Sequence, residues 1–234
     1  MSFVLYQRPK STPIVLALPP RLANWDKNTT AGQRALQSYL EHVDNAAGGP
    51  VREASGPLAI ELAVDIARGH ALLSGGRDVD NFLQPVVDRL GQSNFVSAWV
   101  RKGRFGESSI RIGRAEAFDP AELEGWSFAR ADTDASTAKP AWKHQLRERL
   151  APLSAQEADG AVEMHIAYAL SAKRNWCWPW KATIDALGSI LGIPNPLHPY
   201  NTNDDRITQL AFHRNIDDGI GWTMQIGIWW RFLE

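Results

Sequence analysis

The chain has 234 residues, of which 44% are hydrophobic and 22% are charged, and its formal net charge is -1. These values are typical of a globular protein with a real core, and they do not indicate a general nucleic-acid binder. No apolar run approaches the ~20 residues of a membrane helix, and the N-terminus lacks the order of a signal peptide. The single cysteine, Cys177, excludes an intramolecular disulfide. We therefore expect a cytoplasmic protein without membrane contact.

The first half of the chain predicts a helix, a strand, a second helix and two closing strands. The N-terminal residues read as a strand pair, and an amphipathic helix is predicted over 30–44. A strand follows over 56–66, and after a Gly-Gly turn a helix runs from the Asp78 region to Gly91. Alternation over 95–102 and 108–115, on either side of "GRFGE", predicts a hairpin.

The second half repeats this order of elements. A helix is predicted over 140–153, a strand over 160–170, a helix over 178–192, and closing strands over 206–214 and 222–232. Glu61 and Glu163 occupy matching places in their strands, and "DRLG" matches "DALG" in the helices. We therefore predict an α+β fold with two tandem helix-strand-helix-hairpin units, residues 1–116 and 140–234. Residues 117–139 are predicted to be the linker.

Two aspartates, Asp78 and Asp80, stand one residue apart where the second helix begins. Carboxylates in this arrangement can share a metal ion. Asp80 is also a good N-cap residue, with Asp78 as an ordinary loop residue, and this reading needs no metal. The residues alone leave both interpretations open.

A basic cluster lies within the predicted hairpin, where a single acidic residue, Glu107, interrupts it. It is either a solvated surface or a surface that contacts phosphate. The "WCWPW" segment at 176–180 is likewise either packed in the core or available for stacking on bases. The basic residues are Arg101, Lys102, Arg104, Arg111 and Arg114.

Several short strings resemble the RusA-like Holliday junction resolvases. In the first half these are "DVDN" at 78–81, "DRL" at 88–90 and "VRK" at 100–102. In the second half they are "KATIDAL" at 181–187 and "DDRITQL" at 204–210. The resemblance implies two tandem RusA-like units that form an intramolecular pseudo-dimer, alone or in a higher oligomer. It also implies a Mg²⁺-dependent endonuclease that acts on branched DNA in recombination and repair.

Neither half carries the complete family pattern. The first half has Gln84 where the family has lysine, and it lacks the later acidic pair. The second half has Lys181 and the pair Asp204 and Asp205, but "NWCW" at 175–178 replaces Asp-x-Asp-Asn. The halves complement each other if the two aspartate pairs approach within roughly 4 to 6 Å, as bridged metal ions require.

The resemblance assigns the site residues. It implies a metal site, which Asp78, Asp80 and Asp204 would form around Mg²⁺, and it adds Asp205 and Lys181 as catalytic residues. The basic cluster would contact DNA. Two alternatives stay open: a catalytically degenerate protein that binds DNA or a protein partner without cleavage, and a small-molecule enzyme unrelated to nucleic acid.

Overall fold

The computed structural model describes residues 2–23, 31–152 and 160–233. Within these ranges five helices form: α1 (Ala31–Glu53), α2 (Val79–Leu90), α3 (Pro140–Leu150), α4 (Pro179–Ile184) and α5 (Gly188–Leu191). The strands are β1 (Leu5–Tyr6), β2 (Ile14–Val15), β3 (Leu58–Asp65), β4 (Phe95–Gly103), β5 (Ser109–Arg114), β6 (Ala117–Phe118), β7 (Ser127–Thr133), β8 (Ala161–Leu170), β9 (Ile207–Ile216) and β10 (Met224–Leu233). The predicted α+β class is confirmed. In the described part of the chain, no helix is both long enough and apolar enough to cross a membrane.

Eight strands form one mixed sheet in the order β2-β5-β3-β4-β9-β8-β10-β7. β3 is parallel to β4 and antiparallel to β5. β8 is in the same way parallel to β9 and antiparallel to β10. The two sets of three strands meet at the antiparallel pair of β4 and β9, where Trp99 lies opposite Ala211.

The predicted hairpin is wrong, because β4 and β5 both pair with β3, which lies between them. The connecting loop, 104–108, crosses over the end of β3. There Asp65 Oδ1 accepts hydrogen bonds from the main-chain N–H groups of Phe105 (2.7 Å) and Gly106 (2.9 Å). The closing strands of the second half, β9 and β10, are separated by β8 in the same way. Five residues can span the ~10 Å across an intervening strand, so loop length does not identify the neighbour.

The segment predicted as a linker contributes secondary structure. Its strand β7 pairs with β10 at the edge of the large sheet, and β6 pairs with β1. The two N-terminal strands form as predicted but do not pair with each other, because β2 pairs with β5. The sequence does not reveal these partners, since each strand pairs with a segment about 90 or more residues away.

The helices cover one face of the sheet. Their buried residues join alternate strand residues, such as Ile60 and Val100, in one continuous core. Residues of the opposite face, Ala167 and Trp229, pack in a smaller cluster with Phe3 of the N-terminal segment. Successive side chains of a strand point to opposite faces, so this segment covers part of the face that the helices leave open.

The tryptophan cluster is mainly part of the core. Trp176 and Trp180 are fully buried, whereas Trp178 is 66% exposed. The Trp180 ring stacks on Phe212 of β9, with 4.1 Å between the ring centroids and 7° between the planes. Of the two interpretations of this segment, packing holds for Trp176 and Trp180.

The two neighbouring tryptophans provide a matched test of this packing. Trp180→Ala is expected to lower the free energy of unfolding by ~3–5 kcal/mol, because it empties a fully buried site beside Phe212. Trp178→Ala is expected to change it by less than ~0.5 kcal/mol, because the side chain is largely in solvent. Denaturant unfolding followed by circular dichroism measures both values. Equal losses in the two variants would contradict this placement.

Candidate metal centre

Three carboxylates from distant parts of the chain converge on one point. Asp78 directly precedes α2, Asp80 is the second residue of α2, and Asp204 begins the 3₁₀ turn Asp204–Arg206 before β9. One carboxylate oxygen from each residue lies within 4.8 Å of the other two. Across the described ranges, this is the only group of three or more His, Cys, Asp and Glu residues with such a geometry. The three aspartates can therefore hold a metal ion.

The central strand pair explains why these residues meet. β4 and β9 are antiparallel, so the end of β4 and the beginning of β9 lie at the same edge of the sheet. β3 is parallel to β4, so the loop that leads from β3 into α2 starts at that edge as well. Asp204 is thus brought together with Asp78 and Asp80, which come from the opposite half of the chain.

A second set of contacts fixes the loop before α2. Asp205 accepts hydrogen bonds from the main-chain N–H groups of Gly76 (2.9 Å, to Oδ2) and Arg77 (2.7 Å, to Oδ1). Gly75 and Gly76 have φ values of +95° and +68°, which favour glycine. Asp205, predicted as a catalytic residue, is therefore used to position the loop that carries Asp78 and Asp80.

Lys102 also links the loop before α2 to the segment at Asp205. Its side chain is buried, and its ammonium group donates hydrogen bonds to the main-chain carbonyls of Arg77 (2.9 Å) and Asp205 (2.7 Å). Burial lowers the pKa of Lys102. This residue was predicted to contact DNA, but in this structure its ammonium binds the protein main chain.

Lys181, on α4, is the cation of the centre. Its Nζ lies 2.5 Å from Asp204 Oδ2 and 3.3 Å from both Asp78 Oδ2 and Asp185 Oδ1. Burial alone would lower the pKa of this ammonium, but the surrounding carboxylates, with that of Asp80, raise it above the ordinary lysine value. The group therefore carries a full positive charge at neutral pH.

Asp80 is the most buried ligand candidate, with only 1% of its surface exposed. Its Oδ2 is buried and receives no hydrogen bond from any residue in the described ranges. Burial raises the pKa of Asp80 to about 7; Lys181 opposes this shift, and neighbouring carboxylates including Asp204 add to it. An unpaired buried carboxylate is unfavourable unless a cation compensates it. The unpaired oxygen therefore favours a cation site at this point, in addition to the clustering of the three carboxylates.

The alternative in which Asp80 only caps the helix is wrong. The residue at the N-cap is Asp78, and its side chain makes no capping hydrogen bond. Asp78 Oδ2 instead accepts a hydrogen bond from Asn81 Nδ2 at 3.0 Å.

Burial also raises the pKa of the third ligand candidate, Asp204, to about 6. The charge of Lys181 opposes this shift, and the charge of Asp78 adds to it.

Asp185 is a member of the centre that the sequence did not assign. It follows Lys181 by one helical turn, and its Oδ2 accepts a charged hydrogen bond from Lys143 of α3 at 2.5 Å. The signal that could have found it is the "DALG" string, which places this carboxylate four residues after the lysine.

Two of the predicted DNA contacts lie on the face of the sheet opposite the metal centre. Arg101 directly precedes Lys102 in β4, so its side chain points away from Asp205. Arg101 Nε and Arg111 Nη1 lie 2.9 Å and 3.3 Å from the carboxylate of buried Glu61. Both guanidinium groups are thus engaged with the carboxylate of Glu61.

The remaining two basic residues lie at opposite edges of the sheet. Arg104 is on the loop over the end of β3, at the edge of the sheet where the three aspartates lie. Its guanidinium group donates hydrogen bonds to the main-chain carbonyls of Ile66, Ala67 and His70. Arg114 is exposed and pairs opposite Leu58, at the beginning of β3. Only Arg104 of the predicted basic set is at the edge of the metal centre with its side chain at the surface.

No protein-family model matches the chain, and no curated protein matches it significantly.

Cation binding is expected to strengthen as pH rises. The folded-state pKa of Asp80, about 7, is above its value of 3.8 when unperturbed, so the metal-free fold loses stability as pH rises between these values. A divalent cation requires the ionised carboxylate, so Mg²⁺ should raise Tm more near pH 8 than near pH 5.5. Differential scanning calorimetry with and without Mg²⁺ measures this difference. A larger increase at the acidic pH would contradict the assignment.

Asp80→Asn distinguishes the contribution of Asp80 to metal binding from its contribution to the stability of the metal-free fold. The variant should lose most of the Mg²⁺-dependent increase in Tm. Without metal it should be more stable than the parent near pH 8, by ~1–2 kcal/mol, because a buried unpaired charge is removed. Asp88→Asn, on the same helix but outside the triad, is the matched control and should keep the full increase. A metal response unchanged in Asp80→Asn would exclude this residue as a ligand.

Asp205→Asn tests the positioning of the loop. The amide keeps one acceptor oxygen but sets an N–H group against a main-chain N–H, so one of the two hydrogen bonds is lost. The loss of a hydrogen bond to a charged group, ~1.5–3 kcal/mol, should appear in part as weaker cation binding although no ligand of the triad is altered. Isothermal titration with Mn²⁺ measures the affinity. An affinity equal to that of the parent would show that the loop is held without Asp205.

Proposed function

We propose that the protein is a Mg²⁺-dependent structure-specific endonuclease that acts on branched DNA, as its resemblance to RusA-like resolvases implies. The observation that carries the proposal is the meeting of Asp78 and Asp80 from one half with Asp204 and Lys181 from the other. Each half lacks part of the family pattern, and the missing parts are supplied across the centre of the sheet.

The repeated strand relations support a duplicated unit and hence an intramolecular pseudo-dimer. In β3 and β5, Glu61 lies opposite Arg111, and in β8 and β10, Glu163 lies opposite Arg231. Both pairs form ion pairs, with distances of 3.3 Å and 2.6 Å. Equivalent charged pairs at equivalent strand positions are expected if both halves descend from one unit.

The donor set fits a hard divalent cation. Mg²⁺ prefers carboxylate oxygens and retains several waters, and the three aspartates offer oxygens only. When bound, the ion would lower the pKa of a bound water and stabilise charge on the phosphate oxygens. Asp78, Asp80 and Asp204 are the residues that would hold it.

The other residues of the centre would orient the substrate and the ligands. Lys181 would donate a hydrogen bond to a non-bridging phosphate oxygen and neutralise part of its charge. Asp185 would hold the Lys181 ammonium from the side opposite the phosphate. Lys102 and Asp205 would keep the loop before α2 in the geometry that the ion requires.

The edge of the sheet that carries the centre is the proposed path of the DNA. Arg104 lies on that edge, on the loop over β3. Arg101 and Arg111 point to the other face, where Glu61 holds them. The placement of Arg101 and Arg111 therefore does not support DNA contact through the whole basic cluster. The placement of Arg104 supports DNA contact through this residue.

A protein that binds DNA without cutting it is the second candidate. The observation that favours it is the 2.5 Å contact of Lys181 Nζ with Asp204 Oδ2, since an ammonium group can neutralise this carboxylate without a metal. In that case the cluster would be a structural ion-pair network. The two candidates differ in their response to Mg²⁺ and in their products.

The first test is cleavage of a synthetic four-way DNA junction in the presence of Mg²⁺, beside a linear duplex of the same sequence. The parent should cleave the junction, Asp80→Asn should be slower by at least ~100-fold, and Asp88→Asn should resemble the parent. Junction binding by Asp80→Asn in a mobility shift should persist. Binding without cleavage by the parent would favour the second candidate, and loss of both would refute the proposal.

A further inference from the structure

We propose that each chain cuts only one strand of a branched DNA, because the position related to the metal centre by the pairing of the two halves has no carboxylate ligands. This inference rests on the proposed function. It concerns how many phosphodiester bonds one chain can hydrolyse, which the existence of the centre does not determine.

The equivalent position is identified by two matching contacts. Lys102 of β4 donates to the main-chain carbonyl of Asp205 at 2.7 Å, and Arg214 of β9 donates to the main-chain carbonyl of Ser93 at 3.4 Å. The intervals 205 minus 93 and 214 minus 102 are both 112. Each cation is buried in its strand and reaches back to the segment that precedes the partner strand. The same contact is thus made twice, once in each direction.

The register of the central strands gives the same equivalence. Trp99 of β4 lies opposite Ala211 of β9, and 211 minus 99 is again 112. This pair therefore maps onto itself, and an approximate two-fold axis passes through it. Under this operation Asp204 corresponds to Gln92, since 204 minus 92 is 112. The position of the third metal ligand is occupied by a neutral amide in the other half.

The alignment of the helices identifies the residues equivalent to the other two metal ligands, Asp78 and Asp80. "DRLG" and "DALG" are 97 residues apart, which places Asn175 and Cys177 at the positions of Asp78 and Asp80. We call Asn175, Cys177 and Gln92 the mate position. None of the three has a carboxylate.

The mate position is filled by protein contacts. Asn175 Oδ1 accepts hydrogen bonds from the main-chain N–H groups of Cys177 (2.8 Å) and Trp178 (3.2 Å). Cys177 is fully buried, and burial raises the pKa of its thiol, so it stays uncharged. The Trp176 indole N–H donates to the main-chain carbonyl of Gln92 at 2.9 Å. Two neutral amides and a buried neutral thiol offer none of the anionic oxygens that hold a hard cation such as Mg²⁺ in the metal centre.

The chemical step is one hydrolysis per chain. A water oxygen forms a bond to phosphorus, the bond from phosphorus to one ester oxygen breaks, and that oxygen takes up a proton from the water. The products are one terminal phosphate and one hydroxyl at a single nick. A four-way junction has two strands in symmetric positions, so the second cut requires a second binding event or a second chain.

A supercoiled plasmid with an inverted repeat that extrudes a cruciform tests the inference. With Mg²⁺ and limiting protein, the expected first product is the nicked circle, and the linear form should follow only later and faster at higher protein concentration. Direct formation of the linear form, without free nicked circle, would overturn the inference while the proposed function stands. No cleavage of the plasmid or of a junction would overturn both.

The mate position is tested separately with two variants. Cys177→Ser and Gln92→Ala should nick the plasmid at the rate of the parent, within about twofold, whereas Asp80→Asn should lose at least ~100-fold. Two variants are used so that a folding defect in one, seen as a lower Tm, does not decide the result. A folded variant of the mate position with a nicking rate reduced tenfold or more would show that this position takes part in cleavage.

Discussion

The antiparallel pairing of β4 with β9 is the constraint on which the rest of the structure depends. It joins two three-stranded sets into one sheet and aligns the end of one strand with the beginning of the other. Without it, Asp78 and Asp204 would belong to separate units and could not share an ion. The register matters as well as the pairing, because a slip of one residue would turn Lys102 to the other face and release the loop before α2.

The electrostatics of the centre follow from this geometry. Four carboxylates surround Lys181, and Lys143 contacts one of them from α3. The local charge is negative even after both ammonium groups are counted, and burial prevents water from compensating it fully. The fold therefore keeps an arrangement that destabilises it in the absence of a cation. Such a balance is common where function requires a group that stability does not.

Local pattern predicted the secondary structure and part of the centre. Alternation and helical spacing predict the main strands and helices, and the family resemblance of "DVDN" and "DDRITQL" points to Asp78, Asp80 and Asp204. Spacing did not reveal that β3 separates β4 from β5, because alternation records which face is buried and carries no information on the neighbouring strand. The sequence likewise predicts Asp205 as a catalytic residue and Lys102 as a DNA contact, because their hydrogen bonds are to main-chain groups more than 20 residues away.

The insertion of β10 between β8 and β7 has a consequence for the order of folding. β7 precedes β8 in the chain, yet its partner in the sheet is β10, the last of the described strands. A ribosome-bound chain therefore exposes β7 without this partner until β10 has emerged as well. Contacts of such long sequence separation slow folding and leave strand edges open to other chains. The insertion of β10 between two strands that precede it makes the sheet dependent on non-local pairing during synthesis.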